Sequence, residues 1–199
     1  MHNSPDYFKQ QDKHLVIFDF DETICKTNAT IKVTNIKMKK EMYLTPTQYS
    51  HWRATKKYEE SPDDWHMDFS EFQGYPHDGQ PNEEVIRDLR WYADNDQYIV
   101  ALVTGRDNLL GPKQFMKDYY VPVNKMMLLC SGSPNKRNCF RSLFETFEPK
   151  HVTIYEDAPQ YIEQCLEIAE QKKIPFSGIL VKDGSLVHDW RKYENSKAR

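Results

Sequence analysis

Leu15-Val16-Ile17-Phe18-Asp19-Phe20-Asp21-Glu22-Thr23 is an apolar run that stops at two carboxylates two residues apart, and the rest of the chain reads outward from it. Four consecutive apolar residues, Leu15 to Phe18, two of them β-branched, have the pattern of a strand buried on both faces, as in the middle of a parallel sheet. Asp19 then stands at the carboxyl end of that strand, the edge at which open α/β sheets bind their ligands. The plainer alternative is that Asp19 and Asp21 are loop acids that solvate a turn or cap the next segment. Two more strand ends further along argue for chemistry instead.

Tyr98 to Val103 is a second apolar strand and runs into Thr104-Gly105-Arg106; Val152 to Tyr155 is another and runs into Glu156-Asp157. Helices are expected between them. Val85, Ile86, Leu89 and Tyr92 recur at three-and-four spacing behind Asn82 as N-cap. Pro112 to Tyr120 is a short helix, Met126 to Leu129 a further apolar segment, and Arg137 to Phe147 a helix with Phe140, Leu143, Phe144 and Phe147 on one face. Pro159 to Lys172 is a helix carrying Ile162, Leu166 and Ile168, and Ile179 to Val181 closes the sheet. Strands alternating with helices predict an α/β fold, a Rossmann-like parallel sheet with helices on both faces.

Between the first two strands the rhythm breaks. Alternation from Ile31 to Met38, followed by Met42-Tyr43-Leu44, predicts a small hairpin; Thr45 as N-cap with Pro46 at the first helical position predicts a helix reaching Tyr49 and Trp52. Glu59 to Pro81, interrupted by Pro62, Gly74, Pro76 and Gly79, reads as mostly loop. The division expected is therefore a catalytic core of residues 13–24 and 81–182, an insertion of residues 25–80 after the first strand, and terminal segments 1–12 and 183–199, the last dozen residues a charged tail.

A chain of 199 residues suits one domain with such an insertion. A net charge of −3, a mean hydropathy of −0.81 and the lack of any apolar run near the roughly 18 residues of a membrane span point to a hydrophilic protein with no membrane partner. No signal peptide precedes the first strand, and Cys25, Cys130, Cys139 and Cys165 fall at no metal or disulfide spacing, so the expected location is cytoplasmic.

In a parallel sheet all carboxyl ends share one edge, which brings Asp19, Asp21, Thr104, Glu156 and Asp157 together. Acids gathered in this way repel one another unless a hard divalent cation such as Mg²⁺ sits among them, with water and substrate phosphate completing its shell. Phosphate monoesters need rate factors up to about 10²¹, more than any single interaction supplies. A carboxylate nucleophile, a second carboxyl that moves a proton, a metal, a hydroxyl and a lysine are suited to divide that task.

Asp19-Phe20-Asp21-Glu22-Thr23 has the D-x-D-x-T form of the haloacid dehalogenase-like (HAD) phosphatases, and three later places follow in the family's order: Thr104 in Val103-Thr104-Gly105-Arg106, Lys136, and Tyr155-Glu156-Asp157. Together they frame residues 13 to 181. The resemblance implies that Asp19 is a nucleophile forming an aspartyl-phosphate and Asp21 the general acid and base. It implies that Thr104, Gly105 and Lys136 bind the phosphoryl group, and that Asp19, Asp21 through its backbone carbonyl, and Asp157 ligate Mg²⁺. Glu156, Arg106 and Thr23 would support these groups from behind, Glu156 standing where the family more usually has aspartate. Lys125 and Lys150 compete with Lys136, which is preferred because it precedes a helix and lies about 20 residues ahead of the acidic pair.

The insertion is where this family carries a cap over its substrate. Residues 26 to 57 hold eight lysines and arginines (Lys26, Lys32, Lys37, Lys39, Lys40, Arg53, Lys56 and Lys57) against the single acid Glu41, with Tyr43, Tyr49 and Trp52 among them and Tyr58 just beyond. Aromatics beside cations commonly hold single-stranded nucleic acid. The layout also resembles, more loosely, the phosphatase half of polynucleotide kinase/phosphatases and the RNA-repair-like HAD proteins, which implies nucleotides or nucleic-acid ends as substrate. Lysines that keep a hairpin soluble and aromatics that pack it down explain the same residues. A binding or scaffold protein that keeps the fold with little activity is the alternative of another class. A receiver-type phosphoacceptor domain is disfavoured because both aspartates follow one strand.

Overall fold

In the computed structural model, which describes residues 13–56, 64–133 and 135–191, the central element is β1 (His14–Phe18), bounded on both sides by parallel strands. β7 (Tyr98–Thr104) pairs with it on one side and β9 (His151–Glu156) on the other, with Phe18 opposite Leu102 and Tyr155. β8 (Met127–Cys130) lies outside β7, and β10 (Phe176–Lys182) outside β9, both parallel. The outermost strand, β11 (Ser185–Val187), runs antiparallel to β10. The protein is thus an α/β fold with a six-stranded, mostly parallel sheet.

Strand alternation divides the apolar residues between two faces. Val16 and Phe18 join Val100 and Leu102 under α2 (Glu83–Ala93) and α3 (Leu110–Asp118), where Val85, Ile86, Leu89, Phe115 and Met116 are buried. Leu15 and Ile17 join Ala101, Val103 and Ile154 under α4 (Arg137–Phe147) and α5 (Pro159–Lys172), against Phe140, Leu143, Phe144, Ile162 and Ile168. Each such side chain contributes about 1.5–3 kcal/mol when fully buried. Because β1 is covered on both faces, Asp19 is fixed to a rigid base.

The insertion leaves and returns through a neck of two short antiparallel strands, β2 (Cys25–Lys26) and β6 (Gln80–Pro81). Within it, β3 (Ile31–Asn35) pairs antiparallel with both β4 (Lys40–Leu44) and β5 (Trp65–Asp68). α1 (Pro46–Lys56) opens on reciprocal bonds: the Gln48 N–H donates to Thr45 Oγ1 and the Thr45 N–H to Gln48 Oε1, satisfying two donors at the helix start. Ile31, Val33, Tyr49 and Phe72 form a small core of its own.

Two stretches differ from the sequence reading. Part of the expected loop is β5, which completes the small sheet because Val33 and Asn35 need a partner on their open edge. The terminal segment from 183 supplies β11, and the expected charged tail begins by burying Trp190 against the second core, where a Cβ at Gly178 would stand 2.6 Å from the Trp190 indole nitrogen. Residues 57–63, which include Lys57 and Tyr58, and residues 1–12 lie outside the described part.

Candidate active site at the carboxyl edge of the sheet

The Asp19 N–H donates to the Tyr155 carbonyl at 3.0 Å, continuing the β1–β9 ladder one residue beyond the strand and setting Asp19 beside the end of β9. Lys136, immediately before α4, reaches this edge from the loop after β8. Its Nζ donates to Asp19 Oδ1 at 2.6 Å and to Glu156 Oε2 at 2.7 Å. Asp19, Lys136 and Glu156 are each at most 6% exposed, so the lysine lies between two carboxylates with almost no water. Asp157, half-buried, joins them: Asp19, Glu156 and Asp157 each offer an oxygen, all within 4.8 Å of one another.

Charge balance here is unfavourable for the ionised acids. Burial, followed by the Glu156 charge, pushes Asp19 up to about 8 against the pull of Lys136. Burial likewise raises Glu156 to about 8, with Lys136 opposing, and raises Asp157 to about 7 with help from the Asp19 charge. For Lys136 burial works against the ammonium, but the carboxylates of Asp19 and Glu156 outweigh it and hold the group above the ordinary lysine value. One ammonium cannot neutralise three clustered carboxylates. An oxygen-only donor set short of positive charge is the environment a hard divalent cation fits, and Asp19, Glu156 and Asp157 are the side chains that would hold it.

Asp21 is held by a different cation. Arg106 grips its carboxylate in a two-pronged pair, Nε to Oδ2 at 2.9 Å and Nη2 to Oδ1 at 2.7 Å. The remaining nitrogen, Nη1, donates to the carbonyls of Phe72 at 2.9 Å and Gly74 at 3.0 Å. One buried guanidinium therefore holds both Asp21 and the return segment of the insertion. The loop after β7 and the start of α3 strengthen this attachment: Asn108 Nδ2 donates to the Gln73 carbonyl, Gln73 Nε2 donates to Asp107 Oδ2, and Gly111 of α3 packs so close to Gly74 that a Cβ on Gly111 would lie 2.0 Å from the Gly74 carbonyl oxygen. From the insertion's helix, Thr47 Oγ1 donates to Asp157 Oδ2 at 3.3 Å.

The charged groups among these line one cavity of about 200 Å³. Asp19, Asp21, Gly105, Arg106, Lys136, Glu156 and Asp157, all expected at the site, are on its wall. Thr104 is not. It is fully buried one residue back, and its Oγ1 accepts the Arg106 N–H at 3.3 Å. Thr23 is buried below the edge, its hydroxyl without a partner among the described residues. Of the three competing lysines only Lys136 is here; Lys125 pairs with Asp94 at 2.8 Å on the surface, and Lys150 is exposed.

Sequence reasoning did not single out Asp107, Ser133 or Tyr161, which also line the cavity. The Tyr161 ring lies 4.6 Å from Lys136 Nζ. Gly132, at φ +58°, adds backbone to the wall in a conformation that suits glycine. Among the insertion's cations, Lys26, Lys32, Lys37, Lys39, Lys40 and Arg53 are absent from this wall, Lys32 pairing with Glu41 and Lys37 with Asp64. Tyr43 is exposed and Trp52 packs on Tyr49 and Trp65, so of the aromatics in that stretch Tyr49 alone reaches the cavity among the described residues.

Fold and site together define an α/β protein with a buried acid–lysine cluster at the carboxyl edge of a mostly parallel sheet. No family model and no curated protein matches the chain. Among solved structures it is similar to the crystal structure of the Legionella pneumophila effector Ceg4 with an N-terminal TEV protease cleavage sequence, at 18% identity over 99% of each chain and a TM-score of 0.51. That likeness concerns the fold. Among the described residues no helix is long and apolar enough to cross a membrane.

Proposed function

We propose that the protein is a Mg²⁺-dependent phosphatase of the HAD type that hydrolyses phosphate monoesters through an aspartyl-phosphate on Asp19, with residues 25–80 as the cap. The observation that carries this reading is the convergence of Asp19, Lys136, Glu156 and Asp157, up to 138 positions apart, around one small cavity with Asp21 two residues beyond Asp19.

In the first step an Asp19 carboxylate oxygen attacks phosphorus, and the bond from phosphorus to the substrate alcohol breaks. Asp21 gives a proton to the departing oxygen. In the second, Asp21 takes a proton from water as its oxygen attacks phosphorus, which releases inorganic phosphate and returns Asp19 as carboxylate. Lys136, hydrogen-bonded to Asp19 Oδ1, fixes the nucleophile's orientation and offers its remaining proton to the phosphoryl group. Arg106 holds Asp21 in place until substrate arrives. When bound, Mg²⁺ would supply positive charge against the phosphoryl oxygens.

The test is release of inorganic phosphate from a simple alkyl phosphate, with Mg²⁺ and with chelator. Turnover that survives both chelation and Asp19→Asn would overturn the reading. One observation favours a second reading, a binding protein on the same fold: the bidentate Arg106 pair occupies both Asp21 oxygens. Tight binding of Mg²⁺ and phosphate with no turnover of alkyl, sugar or nucleotide phosphates would establish it.

A further inference from the structure

The cavity that holds Asp19 has a second wall made of rings. Tyr49, Phe69 and Phe72 come from the insertion and Tyr161 from α5, alongside Ile31 and Pro46; Tyr49 and Phe72 are 4% and 7% exposed, so the ring surface is chiefly that of Phe69 and Tyr161. Tyr49 and Phe69 meet edge to face at 5.4 Å, leaving Phe69 38% exposed. Tyr161 stands 4.6 Å from Lys136 Nζ, itself 2.6 Å from the carboxylate of Asp19, and Phe72 lies 5.5 Å from the guanidinium that grips Asp21. Aromatic surface therefore begins one residue away from the Asp19 carboxylate, at Tyr161.

Charge and size narrow what could lie against it. Among the described residues the cations on the wall are Arg106 and Lys136, and carboxylates already hold both. Asp107 adds a further negative charge. A polyphosphate or a nucleic-acid strand relies on several Lys and Arg along its backbone, and among the described residues the wall offers only these two, each already paired with an acid. An apolar cavity of roughly 150 Å³ takes up benzene. At about 200 Å³ this one suits a phosphate and a single ring.

We propose that the substrate is a small phosphate monoester whose alcohol part carries one flat, uncharged ring, stacked against the Phe69 and Tyr161 rings, with Tyr49 supporting Phe69 edge to face. The proposal rests on the phosphatase reading for the reaction but not for the recognition. The ring gains its advantage because aromatic pairs add to plain area burial when geometry is offset or edge to face. A saturated ring of the same size buries similar area and gains none of that addition.

The experiment compares kcat/KM with Mg²⁺ for benzyl phosphate, cyclohexylmethyl phosphate, ribose 5-phosphate and a 3′-phosphorylated oligonucleotide. The first two share a primary-alcohol leaving group, so their ratio reports the ring and not the chemistry. The expected result is benzyl phosphate about five-fold above cyclohexylmethyl phosphate and more than ten-fold above the other two, an order set by stacking energies. Phe69→Leu should bring the benzyl to cyclohexylmethyl ratio towards one by raising KM for the benzyl ester. A ratio of one in the unaltered protein, or preference for ribose 5-phosphate or the oligonucleotide, overturns the proposal while leaving the phosphatase reading intact. If none is hydrolysed the phosphatase reading falls, and calorimetry decides recognition alone. Benzylphosphonate must then bind about five-fold tighter than cyclohexylmethylphosphonate, and equal affinity overturns the proposal.

Discussion

The insertion and the carboxyl edge of the sheet both carry dense charge, yet the two regions use it differently. On the insertion, Lys32 pairs with Glu41 and Lys37 with Asp64 at the surface, where water and salt screen each pair. At the sheet edge, Lys136 lies between Asp19 and Glu156 and Arg106 grips Asp21, with lysine and arginine side chains only 2–3% exposed. Buried charges left partly unbalanced are costly for folding and persist where they serve another end. Charge density in the sequence is thus a poor guide to a site; burial of the charge is the informative quantity.

The contrast can be broken most sharply at Asp19. Asp19→Asn should lower phosphate release by a factor of about 10³ or more, measured on a simple alkyl phosphate, because the amide cannot act as nucleophile. Lys136→Met comes next. It removes the single cation between two buried acids and should cost about 3 kcal/mol or more of folding stability in urea titrations, with loss of turnover.

Divalent cation gives a smaller effect with a definite pH dependence. Burial raises Asp19 and Glu156 to about 8 in the folded protein, whereas the unfolded chain titrates in the ordinary carboxylate range of about 4. The folded state therefore binds more protons across that window, and metal-free stability falls as pH rises through it. Mg²⁺ binds the ionised acids, so its addition should raise Tm more at pH 8 than at pH 5.5, and chelator should reverse the gain. An equal shift at both values would contradict the assignment of these acids to the cation.

Gly111→Ala tests the attachment of the insertion without altering a side chain at the site. A methyl group 2.0 Å from the Gly74 carbonyl must displace residues 72–74 or the loop, costing about 1–3 kcal/mol and slowing turnover several-fold as the Arg106 anchor shifts. The smallest effect belongs to the surface: Lys37→Gln should leave both Tm and turnover at their unaltered values, checked by thermal melting and the same phosphate assay.

How far the sequence carries depends on whether a signal is local. β1, β7 and β9 announce themselves as apolar runs, and α2, α4 and α5 by their spacing, since burial on a regular element imposes a period. β5 and β11 are four and three residues long, too short to show one, and their pairing partners decide them. Asp19, Glu156 and Asp157 were legible as strand-end acids. The grip of Arg106 on Asp21 and on the carbonyls of Phe72 and Gly74 was not, because it joins positions 85, 34 and 32 residues apart through side-chain geometry alone. Nor was the division of the insertion's aromatics, where Tyr49 turns to the cavity and Tyr43 to solvent.

Trapping the covalent state tests the central claim most directly. Enzyme quenched in acid during turnover, then treated with borohydride, converts an acyl phosphate to the corresponding alcohol, and peptide mass spectrometry locates it. Homoserine is expected at position 19. Turnover with Asp19 unmodified, or with the label on another residue, would contradict it.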